Sequence, residues 1–295
     1  MTLAPVANEL LAALPRKDYQ RLLSSLEPVT LTFGQILYEP GKPIAHAYFP
    51  SDSLVSLLTL VKGHMALEIG MIGREGMLGI PLALGINDSP VRALVQGTGT
   101  ALRMTSARFR NEYAKCDAMH GQVNRYVHER IIQITQTAAC NRFHPVEARL
   151  ARWLLMTRDR MGTDHFHHTQ ELLGNMLGVL RVAVTNAAGA LQRRKLISYS
   201  RGQITILDGK GLEAAACDCY RVVRAVAERA RVHRTRSAPP QWRASPEKNR
   251  NGELPNDASR SGHGEVENTR LGRKPETGRT RQIHPPLHGR RDAVE

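Results

Sequence analysis

The side chains best suited to chemistry in this sequence gather around one helix start. Arg181, Val182, Thr185 and Asn186 are spaced so that all four fall on or near the outer N-terminal face of a single helix. Each offers a base edge something different. The Arg181 fork matches guanine O6 and N7, Asn186 can pair with adenine, and Val182 can meet only an apolar group such as a thymine methyl. Thr169, Gln170 and Arg201 flank this helix in sequence. Thr169 and Arg201 suit phosphates, which position a protein without reading sequence. Arg193-Arg194-Lys195 closes the helix, where cations complement its dipole and can also meet phosphate.

Two other groups invite a metal reading. In Asp164-His165-Phe166-His167-His168, the alternate His165 and His167 could share one face of an extended segment. No second ligand pair stands nearby, so this stretch reads as an exposed loop before Thr169. Cys217-Asp218-Cys219 is Cys-x-Cys without a partner pair and reads as packing, as do Cys140 and Cys116. No metal and no cofactor are expected. There is no Gly-x-Ser-x-Gly elbow, Walker loop, His-Glu-x-x-His or paired-acid spacing, and the chain is not expected to be an enzyme.

Positioning Arg181 and its neighbours requires a particular set of elements. Thr169 suits the N-cap of a first helix that buries Leu172, Leu173, Met176 and Leu177. Gly174 is small where two helices approach, and Gly178 supplies the positive φ of a sharp turn. A second helix then buries Val179, Val184, Ala187, Ala188 and Leu191, and Leu196 to Leu207 reads as a two-stranded wing with Arg201-Gly202 at its tip. Together these make a winged helix-turn-helix over residues 144–230.

Upstream, short apolar stretches over residues 29–105 alternate with Gly, Pro, Ser and Asp turns, which predicts a β-barrel or roll within residues 1–114. Over 115–143 the chain turns helical, and Val123, Val127, Ile131, Ile134 and Ala138 form a narrow apolar stripe. Such a stripe resembles a two-stranded coiled-coil seam, the alternative being a helix packed on its own barrel. The class is therefore α+β.

The chain has 295 residues and a formal charge of +14. That sign favours polyanions. Residues 231–295 carry 14 Lys/Arg and 8 Asp/Glu, and they show no apolar period. This tail reads as disordered. No uncharged apolar run reaches the ~18 residues of a membrane span, Glu9 precedes any basic residue at the N-terminus, and four cysteines make no disulfide framework. A cytoplasmic protein is expected.

Phe33-Gly34-Gln35-Ile36-Leu37-Tyr38-Glu39-Pro40-Gly41, Ala47-Tyr48-Phe49-Pro50, Gly73-Arg74-Glu75-Gly76-Met77-Leu78-Gly79 and the helix-turn-helix with Tyr199-Ser200-Arg201-Gly202 resemble the Crp/Fnr superfamily of bacterial transcription regulators (catabolite activator protein-like) over about residues 8–225. The resemblance implies a cyclic-nucleotide-binding-type β-roll, a long dimerisation helix, and a homodimer on a near-palindromic operator in double-stranded DNA. RNA polymerase is a further candidate partner. The nucleotide-binding members carry Gly-Glu in a phosphate cassette and an Arg beyond it. Here Gly79-Ile80 lacks the carboxylate, and Arg92 falls one position late, which on a strand turns it to the opposite face. Gly79, Ile80 and Arg92 mark the candidate effector pocket, and the effector itself is not specified. A different class of reading is a small-molecule sensor whose helix-turn-helix serves protein contact; a third makes the chain a nonspecific nucleic-acid binder through its tail.

Overall fold

The computed structural model describes residues 7–62 and 66–237, with side chains described through residue 232. Asn8 caps the first helix, α1 (Glu9–Ala12), its Oδ1 accepting from the Leu10 and Leu11 amides at 3.2 Å each. Pro15, which cannot continue a helix, separates α1 from α2 (Arg16–Leu23). Seven strands follow: β1 (Glu27–Leu31), β2 (Ile36–Tyr38), β3 (His46–Pro50), β4 (Leu54–Thr59), β5 (Leu67–Ile72), β6 (Arg92–Gly97) and β7 (Gly99–Thr105). They form two antiparallel sheets, ordered β1-β7-β3 and β2-β6-β4-β5. This is the expected roll. Short α3 (Ile80–Ala83) lies between β5 and β6, and α4 (Ser106–Ala114) leads into the long α5 (Asp117–Phe143).

The roll closes over Phe49, Val55, Ile72, Met77, Val95, Met104 and Phe109, and α5 contributes Met119, Val123 and Tyr126 to the same core. Tyr126 fits because residue 76 is glycine; a Cβ there would collide with its ring. Val123, expected at a seam between two chains, is only 1% exposed and belongs to this core, which corrects that expectation. Val127 packs partly against it, whereas Ile131 (57%), Ile134 (41%) and Ala138 are exposed. The helical period explains the difference. The buried face continues Tyr126, Arg130, Gln133, Thr137 and Cys140. The apolar residues 127, 131, 134 and 138 sit one position on, about 100° further round the helix. One sequence stripe thus spans two faces.

After Pro145, α6 (Val146–Met161) enters a second core, built with β8 (His165–His167), α7 (Gln170–Leu177), α8 (Arg181–Arg193), β9 (Ile197–Ser200), β10 (Gln203–Ile206), α9 (Gly209–Ala215) and α10 (Asp218–Ser237). This core takes in Leu54, Leu58 and Met71 from the roll, so α6 and α7 pack directly on the β4–β5 side. Two buried glutamates mark that join. Glu68 accepts from Ser56 and from Trp153 Nε1 at 3.1 Å. Burial raises its carboxyl above the usual range, opposed by those hydrogen bonds and by the charge of Arg152. Glu75 accepts from Arg160 at 2.9 Å and lies 3.8 Å from Arg130. Burial works against ionisation there too, but Arg160 and Arg130 hold its carboxyl below the usual range.

Helix α10 runs through Ser237, six residues beyond Arg231, where the tail was expected to begin. Its Arg231 makes two hydrogen bonds to Glu9, at 2.9 and 3.1 Å, which ties it to α1. The rest of the expected tail, 238–295, lies outside the described residues. No single helix among the described residues is long and apolar enough to cross a membrane.

Candidate nucleic-acid interface

Helices α7 and α8 meet at a 104° bend. The turn is made by Gly178, which ends α7 at φ 63°, a left-handed conformation costly for other residues. Gly174 lets the turn close, since a Cβ there would stand 2.8 Å from the Val179 carbonyl. Thr169 caps α7 by accepting from the Leu172 amide at 3.2 Å. Leu173, Met176, Leu177, Val184, Ala187, Ala188 and Leu191 fill the space between the helices, with Leu172 and Val179 half-buried.

Burying that face leaves Arg181, Val182, Thr185 and Asn186 exposed along the start of α8, with Val182 61% exposed. The Thr185 hydroxyl lies 2.8 Å from Gln170 Oε1 and 3.1 Å from the Arg181 carbonyl, and donates its one proton to either. Thr185 and Gln170 therefore link the two helices. Arg201 and Gly202 both have positive φ (49° and 84°), which makes the two-residue turn between β9 and β10 follow the right-handed twist of the strands. Thr169, Gln170, Arg181, Arg201 and Gly202 line one shallow hollow. The structure thus gathers residues from three separate elements around one surface.

That hollow also contains Glu171 and Tyr199, which the sequence reading did not place among the DNA-contacting residues. Tyr199 donates to the His168 carbonyl at 2.7 Å, fixing the wing to the segment before α7. Burial raises its hydroxyl pKa and the charge of nearby Arg181 pulls the other way. The alternation of Tyr199 with Ile197 on one strand was the available signal.

The segment 164–168 is not the exposed loop it was expected to be. Phe166 is apolar between two imidazoles, a period-2 pattern, and His165–His167 pairs with β10 as a third strand, in the order β8-β10-β9. His168 is buried with its ring edge-on to Trp153 at 5.0 Å; burial, then the neighbouring His167, lowers its pKa to about 4.

In the roll, the candidate effector residues are otherwise engaged. Ile80 packs against the core, Gly79 starts α3 at φ 105° close to Tyr38 and Ala47, and Arg92 donates to Glu39 at 3.1 Å. Away from both regions, Cys140, Cys217 and Cys219 are buried together with half-buried His144 beside them.

Residues 148–215 match the family model described as a Crp-like helix-turn-helix domain. No curated protein matches the sequence. Among solved structures, FixK2 of Bradyrhizobium japonicum is 10% identical with a TM-score of 0.55, covering 65% of this chain and 98% of its own. The regulator CLP of Xanthomonas campestris, described as responsive to c-di-GMP, is 16% identical with a TM-score of 0.54, covering 64% and 98%. A CRP-family transcriptional regulator from Thermus thermophilus is 17% identical with a TM-score of 0.55, covering 64% and 96%. At these identities the likeness carries the fold, and the helix-turn-helix match carries the DNA-binding module. The chain thus carries a Crp-like helix-turn-helix domain over residues 148–215, on an overall fold that it shares with these solved structures.

Proposed function

We propose that the chain binds a near-palindromic operator as a homodimer, with α8 of each copy in a major groove and the wing against the flanking phosphates. One observation carries this reading. Arg181 stands exposed at the first position of α8, without a carboxylate ion pair among the described residues, and shares a hollow with Thr169, Gln170 and Arg201. A cation at a helix N-terminus opposes the dipole, whereas a guanine edge would reward it. The reading face stays exposed although α6 and α7 pack on the roll, so that packing does not mask it.

Two copies are supported by α5, whose exposed Ile131, Ile134 and Ala138 suit a second copy of the same helix. The roll is proposed to take no cyclic mononucleotide: Ile80 offers no carboxylate to ribose hydroxyls, and Arg92 is already neutralised by Glu39. Titration calorimetry with cyclic AMP and cyclic GMP is expected to show no saturable heat. The protein acts in this reading as a cytoplasmic DNA-binding regulator rather than an enzyme, with RNA polymerase as a further candidate partner.

Binding to operator and random DNA across a salt series tests the reading. Arg181→Ala is expected to cost ~1–3 kcal/mol on the operator and to relax preference at one base pair per half-site. Arg201→Ala is expected to weaken all sequences alike and to lower the salt slope by about one. Wild-type affinity and base preference in Arg181→Ala would remove it as the reading residue.

A further inference from the structure

The last turn of α5 and the start of α10 bring together four side chains that 72 intervening residues separate in sequence. Cys140 and His144 are one helical turn apart at the end of α5, and Cys217 and Cys219 flank Asp218, where α10 begins. One ligand atom from each lies within 4.8 Å of all the others. Cys140 Sγ is 3.4 Å from Cys217 Sγ, and Cys219 Sγ is 3.6 Å from His144 Nδ1.

We propose that Cys140, His144, Cys217 and Cys219 form a mononuclear, tetrahedral zinc site. Zinc–sulfur bonds of about 2.3 Å and a zinc–nitrogen bond of about 2.0 Å place tetrahedral sulfur–sulfur edges near about 3.8 Å and sulfur–nitrogen edges near about 3.5 Å. The two observed spacings depart from those edges by less than about half an ångström. An iron–sulfur cluster distributes four such ligands over more than one iron atom and so spreads them further apart than the 4.8 Å that spans this whole set, which favours a single ion. Three thiolates and one imidazole make a soft donor set that fills all four positions, which is the closed, structural type of site.

The surroundings complement such a centre. Three thiolates and neutral imidazole around Zn2+ leave one net negative charge, and binding releases the three thiol protons to solvent. Arg149 and Arg152 are buried near these sulfurs, and neither makes a carboxylate ion pair within 4.0 Å among the described residues. Buried cations need a counter-charge: Glu68 acts on Arg152, and this centre supplies one to Arg149. Arg149 Nη2 in turn donates to Asn141 Oδ1 at 2.9 Å and to the Leu177 carbonyl, at the end of the first helix of the helix-turn-helix. The ion would therefore fasten α10 to α5 at the point where the chain passes through Pro145 into α6. Zinc occupancy accordingly sets operator affinity, a consequence that rests on the DNA-binding reading, while the site itself does not.

The test uses the full chain, purified with reductant and without chelator, measuring zinc by elemental analysis and the Co2+ form by absorption. About one zinc per chain is expected, and the Co2+ form should show intense tetrahedral d–d bands with thiolate-to-cobalt charge transfer. Cys217→Ser and Cys219→Ser should lose that spectrum, whereas Cys116→Ser, whose thiol lies at the start of α5, should keep it. Less than about a tenth of an equivalent of either ion in the wild type, unchanged binding in both serine variants, or a Cys140–Cys217 disulfide in the reduced preparation would overturn the site. Chelation should weaken operator binding by about fivefold or more. An unchanged operator affinity after zinc removal would overturn the coupling alone. Absence of operator binding by the zinc-loaded protein would instead overturn the DNA-binding reading.

Discussion

The two halves of α5 solve the same packing problem in opposite ways. Toward its start, the helix buries Met119, Val123 and Tyr126 in an apolar core. Toward its end, the same face buries Arg130, Gln133 and Thr137, while Ile131, Ile134 and Ala138 turn outward. The first half follows ordinary amphipathic logic, and the second inverts it. A helix that hides polar groups and shows apolar ones is matched to neighbours of two kinds. One is strand β5, on which it already lies. There Gly70 of β5 makes room for Arg130, since a Cβ would stand 2.9 Å from Nη2, and Arg130 Nη1 donates to the Met71 carbonyl at 2.7 Å. On the homodimer proposal, the other is the same apolar face of a second copy, since nothing among the described residues covers Ile131 and Ile134.

The largest effect expected from breaking this contrast lies in the apolar half. Tyr126→Ala empties the space above Gly76 and should destabilise the fold by ~3–5 kcal/mol in urea unfolding followed by circular dichroism. A loss below about 1 kcal/mol would mean that the end of the roll collapses around the cavity instead.

The polar half should respond less, and with a pH signature. Arg130→Met leaves Glu75 with the closer Arg160 and the Gly73 amide, and a cost of about 1–3 kcal/mol is expected at neutral pH. Because the folded carboxyl of Glu75 lies below its ordinary value, its contribution is present above the unfolded value of about 4.3 and is lost as pH falls through the folded pKa. Glu75→Gln should therefore flatten the acid limb of the stability curve. Glu68 has the opposite sign: its carboxyl is raised by burial, so it costs stability as pH rises above about 4.3, and Glu68→Gln should remove that cost. Acid limbs of equal slope in wild type and Glu75→Gln would show that the Arg160 and Arg130 contacts do not hold the carboxylate.

How legible each half was follows from how local its signals are. The roll's strands were readable because turns such as Pro40-Gly41 punctuate apolar runs, and the helix-turn-helix because Gly174 and Gly178 are required a few residues apart. The α5 stripe misled because residues 123 and 127 look equivalent in a period of three to four, yet only tertiary contact decides which of two adjacent faces is inside. Strand β8 was hidden by its two imidazoles, which suggested solvent. The expected start of the tail at Arg231 fails because basic composition alone suggests disorder, whereas Glu9, more than two hundred residues earlier, holds that arginine. Cys140 and His144 carry the i, i+4 spacing of one helix face, but their companions at 217 and 219 are brought near only by α10 folding back on α5.

Next in size is Gln133→Leu. The Gln133 amide is buried with neither its oxygen nor its nitrogen hydrogen-bonded among the described residues, on the face that meets Gly70. Exchanging an unsatisfied amide for a side chain of similar volume should stabilise the fold by about 1 kcal/mol, measured by the same urea titration. A destabilisation of that size would show that the polar half is satisfied in solution and is not inverted at an energetic cost.

The smallest effect on the fold, and the sharpest test of the comparison, comes from Ile134→Glu. Ile134 is 41% exposed and sits on the outward face beside Ile131, so a carboxylate there remains solvated in the single chain and should change its stability by no more than about 0.5 kcal/mol. Between two copies the same carboxylate would be buried against an apolar helix without a partner, and the assembly should dissociate. Light scattering at micromolar concentration is expected to give a dimer for the wild type and a monomer for Ile134→Glu, with unchanged circular dichroism. A wild-type monomer would show that the inversion has another cause. A dimer that survives the substitution would move the contact off this face of α5, and Ile131 and Ala138 with it.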